Sequence, residues 1–155
     1  MKNKPALFVI DPTLGRLAKW LRIMGFDAHY QTSYKNMEIE ILLKEGRILM
    51  TRNRKLKNSF KPSILISSDK LQDQLMELKK NGFLPVANEN WFKRCIACNI
   101  PLQSVQLEDA RGRIPEYIAS QNIRGIKFCP SCNRYLWPGS HRTKMLKQLK
   151  NWGLS

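Results

Sequence analysis

Residues 6–25, ALFVIDPTLGRLAKWLRIMG, decide how this chain folds. Ala6-Leu7-Phe8-Val9-Ile10 is an unbroken apolar run of strand length. Such a run suits a strand covered on both faces, as in the middle of a parallel sheet. It stops at Asp11. Pro12 turns the chain, and Thr13 is a candidate helix cap. Leu14, Leu17, Ala18, Leu21 and Met24 then recur at helical spacing, and Gly25 is a C-terminal stop. Open parallel sheets gather their sites at the carboxyl ends of strands. Asp11 is therefore the first candidate site residue.

The alternation continues outward. Phe26–Tyr30 reads as a second strand, carrying Asp27. Asn36 is placed to cap a helix through about Glu45, with Ile39, Leu42 and Leu43 inward and Gly46 as its stop. Arg47–Thr51 is a third strand, ending in Arg52-Asn53-Arg54, a second site position rich in arginine. A loop leads to a fourth strand, Ser63–Ser67. Asp69 opens a helix through about Lys80, with Leu71, Leu75 and Leu78 inward. This order predicts an α/β domain of three layers with a mostly parallel sheet over residues 1–84. Residues 85–91 read as a polar linker.

The C-terminal part, residues 92–155, is organised by cysteines. Cys95 and Cys98 form one Cys-x-x-Cys couple, Cys129 and Cys132 another, and the chain has four cysteines in all. Two residues between thiolates let a tight knuckle present both sulfurs to one metal, and two knuckles complete a tetrahedron. The expectation is a zinc ribbon with a structural, closed site, and an inserted hairpin or loop between the knuckles. Disulfides are the competing reading, but nothing else in the sequence suggests an oxidising compartment. Asn99 and Asn133 each follow a couple and can adopt the left-handed turn that a knuckle often needs. A last helix, Thr143–Trp152, with Ser140 as a candidate cap, closes the chain.

Charge is the dominant global feature. Lysine and arginine number 27 against 12 acids, a formal charge of +15 spread over both halves. Chains this basic usually contact phosphate polymers. The expected partner is RNA, free or in a ribosomal particle, rather than duplex DNA or a membrane. The candidate contacts are Arg16, Lys19 and Arg22 on the first helix, and Arg52 and Arg54 at the third strand tip. Arg134, Tyr135, His141 and Arg142 follow the second knuckle, and Lys144, Lys147 and Lys150 lie on the last helix. Aromatics among arginines suit unpaired bases, which stack on ring faces. Packing is the alternative for Tyr135 and Trp137, and a merely solvated face is the alternative for the first row. No stretch has the apolar length needed to cross a bilayer. The start leads directly into a strand rather than a secretory signal. A cytoplasmic protein is the expectation.

Phe8-Val9-Ile10-Asp11, Leu14 through Arg22, and Gly25-Phe26-Asp27-Ala28 together resemble the Mut-seven C-terminal ribonuclease family. So do Gly46 through Arg52, Arg94-Cys95 through Asn99, and Cys129 through His141. The similarity runs from about Leu7 to Met145. It implies a PIN-like α/β domain with an appended zinc ribbon. It also implies a nuclease site in which acids at strand ends hold magnesium or manganese and hydrolyse RNA.

On that comparison the site is degenerate. Asp11 matches the family's first acid. The family's threonine-arginine-aspartate is here Thr51-Arg52-Asn53, and its acid opening the second helix is Asn36. Asparagine keeps an oxygen ligand but loses the charge, so affinity for a divalent ion should fall. Glu38 and Glu40 are nearby candidate substitutes. Two readings follow: an RNA-binding protein with a weakened or lost nuclease site, or an active endoribonuclease with a rearranged acid set.

Overall fold

The computed structural model describes residues 4–85 and 87–154. Its first sheet contains β1 (Leu7–Ile10), β2 (Asp27–Tyr30), β3 (Arg47–Thr51) and β4 (Ser63–Leu65). Their order is β2-β1-β3-β4, and every pair is parallel. Four helices accompany them: α1 (Gly15–Ile23), α2 (Asn36–Lys44), α3 (Arg54–Ser59) and α4 (Leu71–Lys80). Val9 and Leu49, partners in the β1–β3 register, meet Ile39 and Leu42 of α2, Leu56 of α3, and Phe60. Side chains alternate along a strand, so Phe8 serves the other face. Its ring lies 5.6 Å from that of Phe26 and 6.5 Å from that of Phe83. Helices α1 and α4 pack on each other. Covered on both faces, β1 can be wholly apolar, as its sequence is.

Chain order places the site. The connection through α1 lays β2 on one side of β1, and the connection through α2 carries β3 to the other. The strand order therefore reverses between β1 and β3, and a crevice opens beyond their carboxyl ends. The Asp11 N–H extends the pairing by one residue, donating to the Met50 carbonyl at 3.0 Å.

Several caps differ from expectation. Asp11, not Thr13, caps the turn of 3-10 helix over Pro12–Leu14. Lys35, not Asn36, is the N-cap of α2, and the Glu38 carboxylate accepts the Lys35 N–H at 2.6 Å. Lys70 rather than Asp69 precedes α4. The segment after β3 is not all loop but contains α3. That helix is six residues long and none of them is buried, so it has no apolar period to read.

The chain forms two compact units, Met1–Asn99 and Ile100–Ser155. The first thus extends past the expected boundary at residue 84. The Phe92 N–H donates to the Ile23 carbonyl at 2.8 Å, and Asn90 packs on Gly25. The second unit has an antiparallel sheet, β5 (Gln103–Ser104), β6 (Lys127–Phe128) and β7 (Tyr135–Leu136), in that order. Between β5 and β6 lie α5 (Leu107–Ala110) and α6 (Glu116–Ala119), where a hairpin or loop was expected. Ala110, Ile114, Ile118, Ala119 and Ile126 form this unit's core. Helix α7 (Ser140–Asn151) follows, with Gly139 at its N-cap.

Gly25 and Gly46 both adopt φ near +90°, but only Gly25 is crowded: an added Cβ would sit 2.3 Å from the Asn90 carbonyl oxygen. Nothing lies within 4 Å at Gly46. Gly46→Ala is expected to lose about 1 kcal/mol, the strain of a left-handed alanine. Gly25→Ala adds a backbone clash and is expected to lose about 3 kcal/mol or more. Urea denaturation of the two variants checks this, and equal losses would contradict the packing of residue 90 on Gly25.

Candidate functional site

Beyond the carboxyl ends of β1 and β3 is a cleft of about 600 Å³. Its polar lining includes Asp11, Tyr34, Asn36, Arg52 and Asn53, and its apolar wall is formed by Ile39, Leu49 and Leu56. Asp11, Asn36 and Asn53, distant in sequence, are brought together here with Arg52. Glu38 and Glu40 do not line it. The Glu38 carboxylate is engaged at the start of α2, and Glu40 is exposed. Arg54 is exposed as the first residue of α3.

Asp11 is 4 % exposed and, among the described residues, is the only acid in the lining. Its Oδ1 accepts from the Thr13 N–H and the Thr13 hydroxyl, each at 2.8 Å. Its Oδ2 accepts from the Thr51 hydroxyl at 2.5 Å. Thr51 Oγ1 in turn accepts the Asn53 N–H at 2.9 Å. Thr13 and Thr51 thus hold Asp11 in place. Their sequence signal is slight: a hydroxyl residue two positions on, and another at the tip of the neighbouring strand.

Asn53 caps α3. Its Oδ1 accepts from the Lys55 N–H at 2.9 Å and the Leu56 N–H at 3.3 Å. Asn36 is exposed on the first turn of α2. Tyr34 donates its hydroxyl to the His29 carbonyl at 3.2 Å and lies 3.1 Å from His29 Nδ1. Burial pushes the Tyr34 phenol pKa up to about 12. Burial, then the nearby Arg47 and Arg22 charges, lower the His29 imidazole below its ordinary value.

Hard divalent ions take several oxygen ligands, with carboxylates to offset their charge. The cleft offers one carboxylate, which accepts hydrogen bonds on both oxygens, the Asn53 amide oxygen engaged in a helix cap, and the exposed Asn36 amide. Arg52 adds positive charge to the same space.

The cysteines do fit a metal. The ligand atoms of Cys95, Cys98, Cys129 and Cys132 all lie within 4.8 Å of one another. Each knuckle is a tight turn. The Asn99 N–H donates to the Cys95 carbonyl at 2.9 Å, and the Asn133 N–H to the Cys129 carbonyl at 2.8 Å. Both asparagines are left-handed, with φ of 60° and 59°. The Cys98 N–H points at Cys95 Sγ, 3.4 Å away, a contact that suits a thiolate.

The first knuckle is tied to β2. Asn99 Oδ1 accepts the Ala28 N–H at 3.0 Å, and Asn99 Nδ2 donates to Asp27 at 2.7 Å. Asp27 also pairs with Arg47 at 2.7 Å. Burial alone would raise the Asp27 carboxyl, but hydrogen bonds from Arg47 and Asn99 outweigh it and hold it below its ordinary value. Asp27 is thus a framework residue. Arg22 is another, and corrects the expected basic row. It is 9 % exposed, and its guanidinium donates to the carbonyls of Ala28, Ile96 and Ala97. It is not open to a phosphate. Tyr135 is partly buried and packs against the core of the second unit, as Trp137 does, with its ring 4.9 Å from that of Phe128.

The remaining basic candidates reach solvent. Arg16 and Lys19 are exposed on α1, as are Arg134, His141, Lys144, Lys147 and Lys150 in the second unit, while Arg142 is partly buried. Among the described residues, no helix is long and apolar enough to cross a membrane.

A parallel α/β sheet with a cleft at its switch point and a four-cysteine cluster define an α/β protein with a candidate metal centre. The Mut7-C RNAse domain family matches residues 6–149, and the chain belongs to that family. No curated protein and no solved structure matches it.

Four cysteine sulfurs this close could close around one metal ion as thiolates. Metal analysis of purified protein is expected to give about one equivalent of a thiophilic metal per chain. Cys129→Ser should lose most of it. Metal-free protein after purification under reducing conditions would contradict the site.

Proposed function

We propose that this chain is an RNA-binding member of its ribonuclease family whose metal-dependent nuclease site is weakened or lost. One observation carries the reading: among the described residues Asp11 is the sole acid lining the cleft, and donors already occupy both its oxygens. A single carboxylate rarely offsets the dehydration of a divalent ion. The cleft retains the position of a family active site without the charge that such a site uses. The formal +15 and the exposed lysines of α7 support RNA, free or in a ribosomal particle, as the partner. Zinc is the metal we assign to the cysteines, in a structural role: a closed set of four thiolates leaves no position for substrate. The α/β part is PIN-like in this reading, the protein is cytoplasmic, and the zinc ribbon contributes its basic helix to RNA.

The alternative is an active magnesium- or manganese-dependent endoribonuclease, favoured by membership of the family. A cleavage assay on labelled single-stranded RNA with manganese separates the two. The expected wild-type rate is near background. Asn36→Asp with Asn53→Asp should raise manganese affinity and cleavage, and Asp11→Ala in that background should abolish the gain. Robust wild-type cleavage that Asp11→Ala removes would establish the alternative.

Binding should also weaken steeply with salt, because each phosphate contact releases counterions. Replacing Lys144, Lys147 and Lys150 together by Ala should flatten the slope of log affinity against log salt by about 2 to 3. An affinity independent of salt would contradict a phosphate partner.

A further inference from the structure

We infer that the cleft binds an RNA phosphate directly, on the Asn53 amide and the Arg52 guanidinium, and needs no divalent ion to do so. The inference rests on the RNA-binding reading above and assigns the chemistry of its cleft. It begins with the orientation of Asn53. Backbone N–H groups can only donate, so the Lys55 and Leu56 N–H groups fix Oδ1 as the atom turned into the cap. The other end of the amide, Nδ2, has no hydrogen-bond partner among the described residues, and Asn53 lines the cleft. Nδ2 carries two donors and no acceptor. An aspartate here could cap α3 with one oxygen and offer the second to a cation. Asparagine caps in the same way and offers hydrogen-bond donors instead. The cation ligand has become an anion ligand, with little change of shape.

Arg52 extends the same logic. It lines the cleft and is exposed, and among the described residues none forms an ion pair with it. The neighbouring acid, Glu77, is engaged elsewhere: its carboxylate accepts from the Ser67 N–H, the Ser67 hydroxyl and the Ser68 N–H, at 2.8–3.0 Å. A guanidinium is planar and presents paired donors, a geometry suited to phosphate. Asp11 is the group that opposes an anion. It is 4 % exposed, and the Thr13 N–H and the hydroxyls of Thr13 and Thr51 turn donors onto its two oxygens. Those hydrogen bonds delocalise and screen its charge. The apolar wall of Ile39, Leu49 and Leu56 gives an adjoining base or sugar a surface to lie on.

The test is the affinity of a labelled single-stranded RNA of about six nucleotides, short enough to sample one site. Buffers are stripped of divalent ions by chelating resin, which spares tightly held zinc, and zinc content is measured for every sample. Wild type, Asn53→Asp, Arg52→Ala and the triple alanine variant at Lys144, Lys147 and Lys150 are compared with and without manganese. The expected wild-type affinity is the same in both buffers. Asn53→Asp keeps the cap on α3 and should unfold as wild type does, yet bind RNA about tenfold more weakly without manganese, the cost of losing a charge-assisted contact. Arg52→Ala should lose a similar factor. A wild-type affinity that depends on manganese would overturn the inference. So would Asn53→Asp and Arg52→Ala binding as wild type does. In that last case, an RNA affinity lost only by the triple lysine variant would leave RNA binding standing and remove the cleft from it. A wild type that binds no RNA in either buffer would remove both.

Discussion

A carboxylate at the end of a central strand, nearly closed to water, must be met by donors, because an unpaired buried charge is costly. Asp11 is in that position, and its partners bind three pieces of the fold together. Thr13 supplies two donors from the turn that launches α1. Thr51 supplies a third from the tip of β3 and accepts the N–H of Asn53. Asn53 then caps α3. One buried charge therefore fixes the first turn, the β1–β3 edge and the helix that walls the cleft. In the reading proposed here, the same bonds limit what Asp11 can do for a cation. In this chain the acid acts as a fastener of the cleft.

A second constraint governs the other end of the sheet. The first cysteine knuckle joins the α/β unit through Asn99, which answers the edge of β2, and through Arg22, which fills the carbonyls of Ile96 and Ala97. Asp27 and Arg47 complete the arrangement. A left-handed asparagine after the cysteine couple is thus both a turn residue and an anchor. It explains why the first unit extends through residue 99.

The sequence carried the parallel α/β order openly, because β1 is wholly apolar and α1 has a clear stripe. The convergence of Asp11, Asn36 and Asn53 was legible from strand ends and from family resemblance together. The cysteine cluster was legible from spacing alone. What was hidden depended on partners that no local pattern marks. Arg22 looks like one member of a basic row until its neighbours 96 and 97 arrive to receive its guanidinium. Tyr135 looks like a free ring until Phe128 and the Ile126 cluster are seen packed against it. Helices α3, α5 and α6 are too short to show a period, and Asn53 reads as a lost acid until its oxygen is seen in a cap.

The central claim is that this cleft has exchanged cation chemistry for anion chemistry. Anomalous diffraction from crystals equilibrated with manganese tests it most directly, because the signal locates the ion without reference to activity. The account predicts no manganese peak within coordinating distance of Asp11, with the metal signal confined to the four cysteines. A well-occupied manganese bound to Asp11 together with the side-chain oxygen of Asn36 or Asn53 would contradict it.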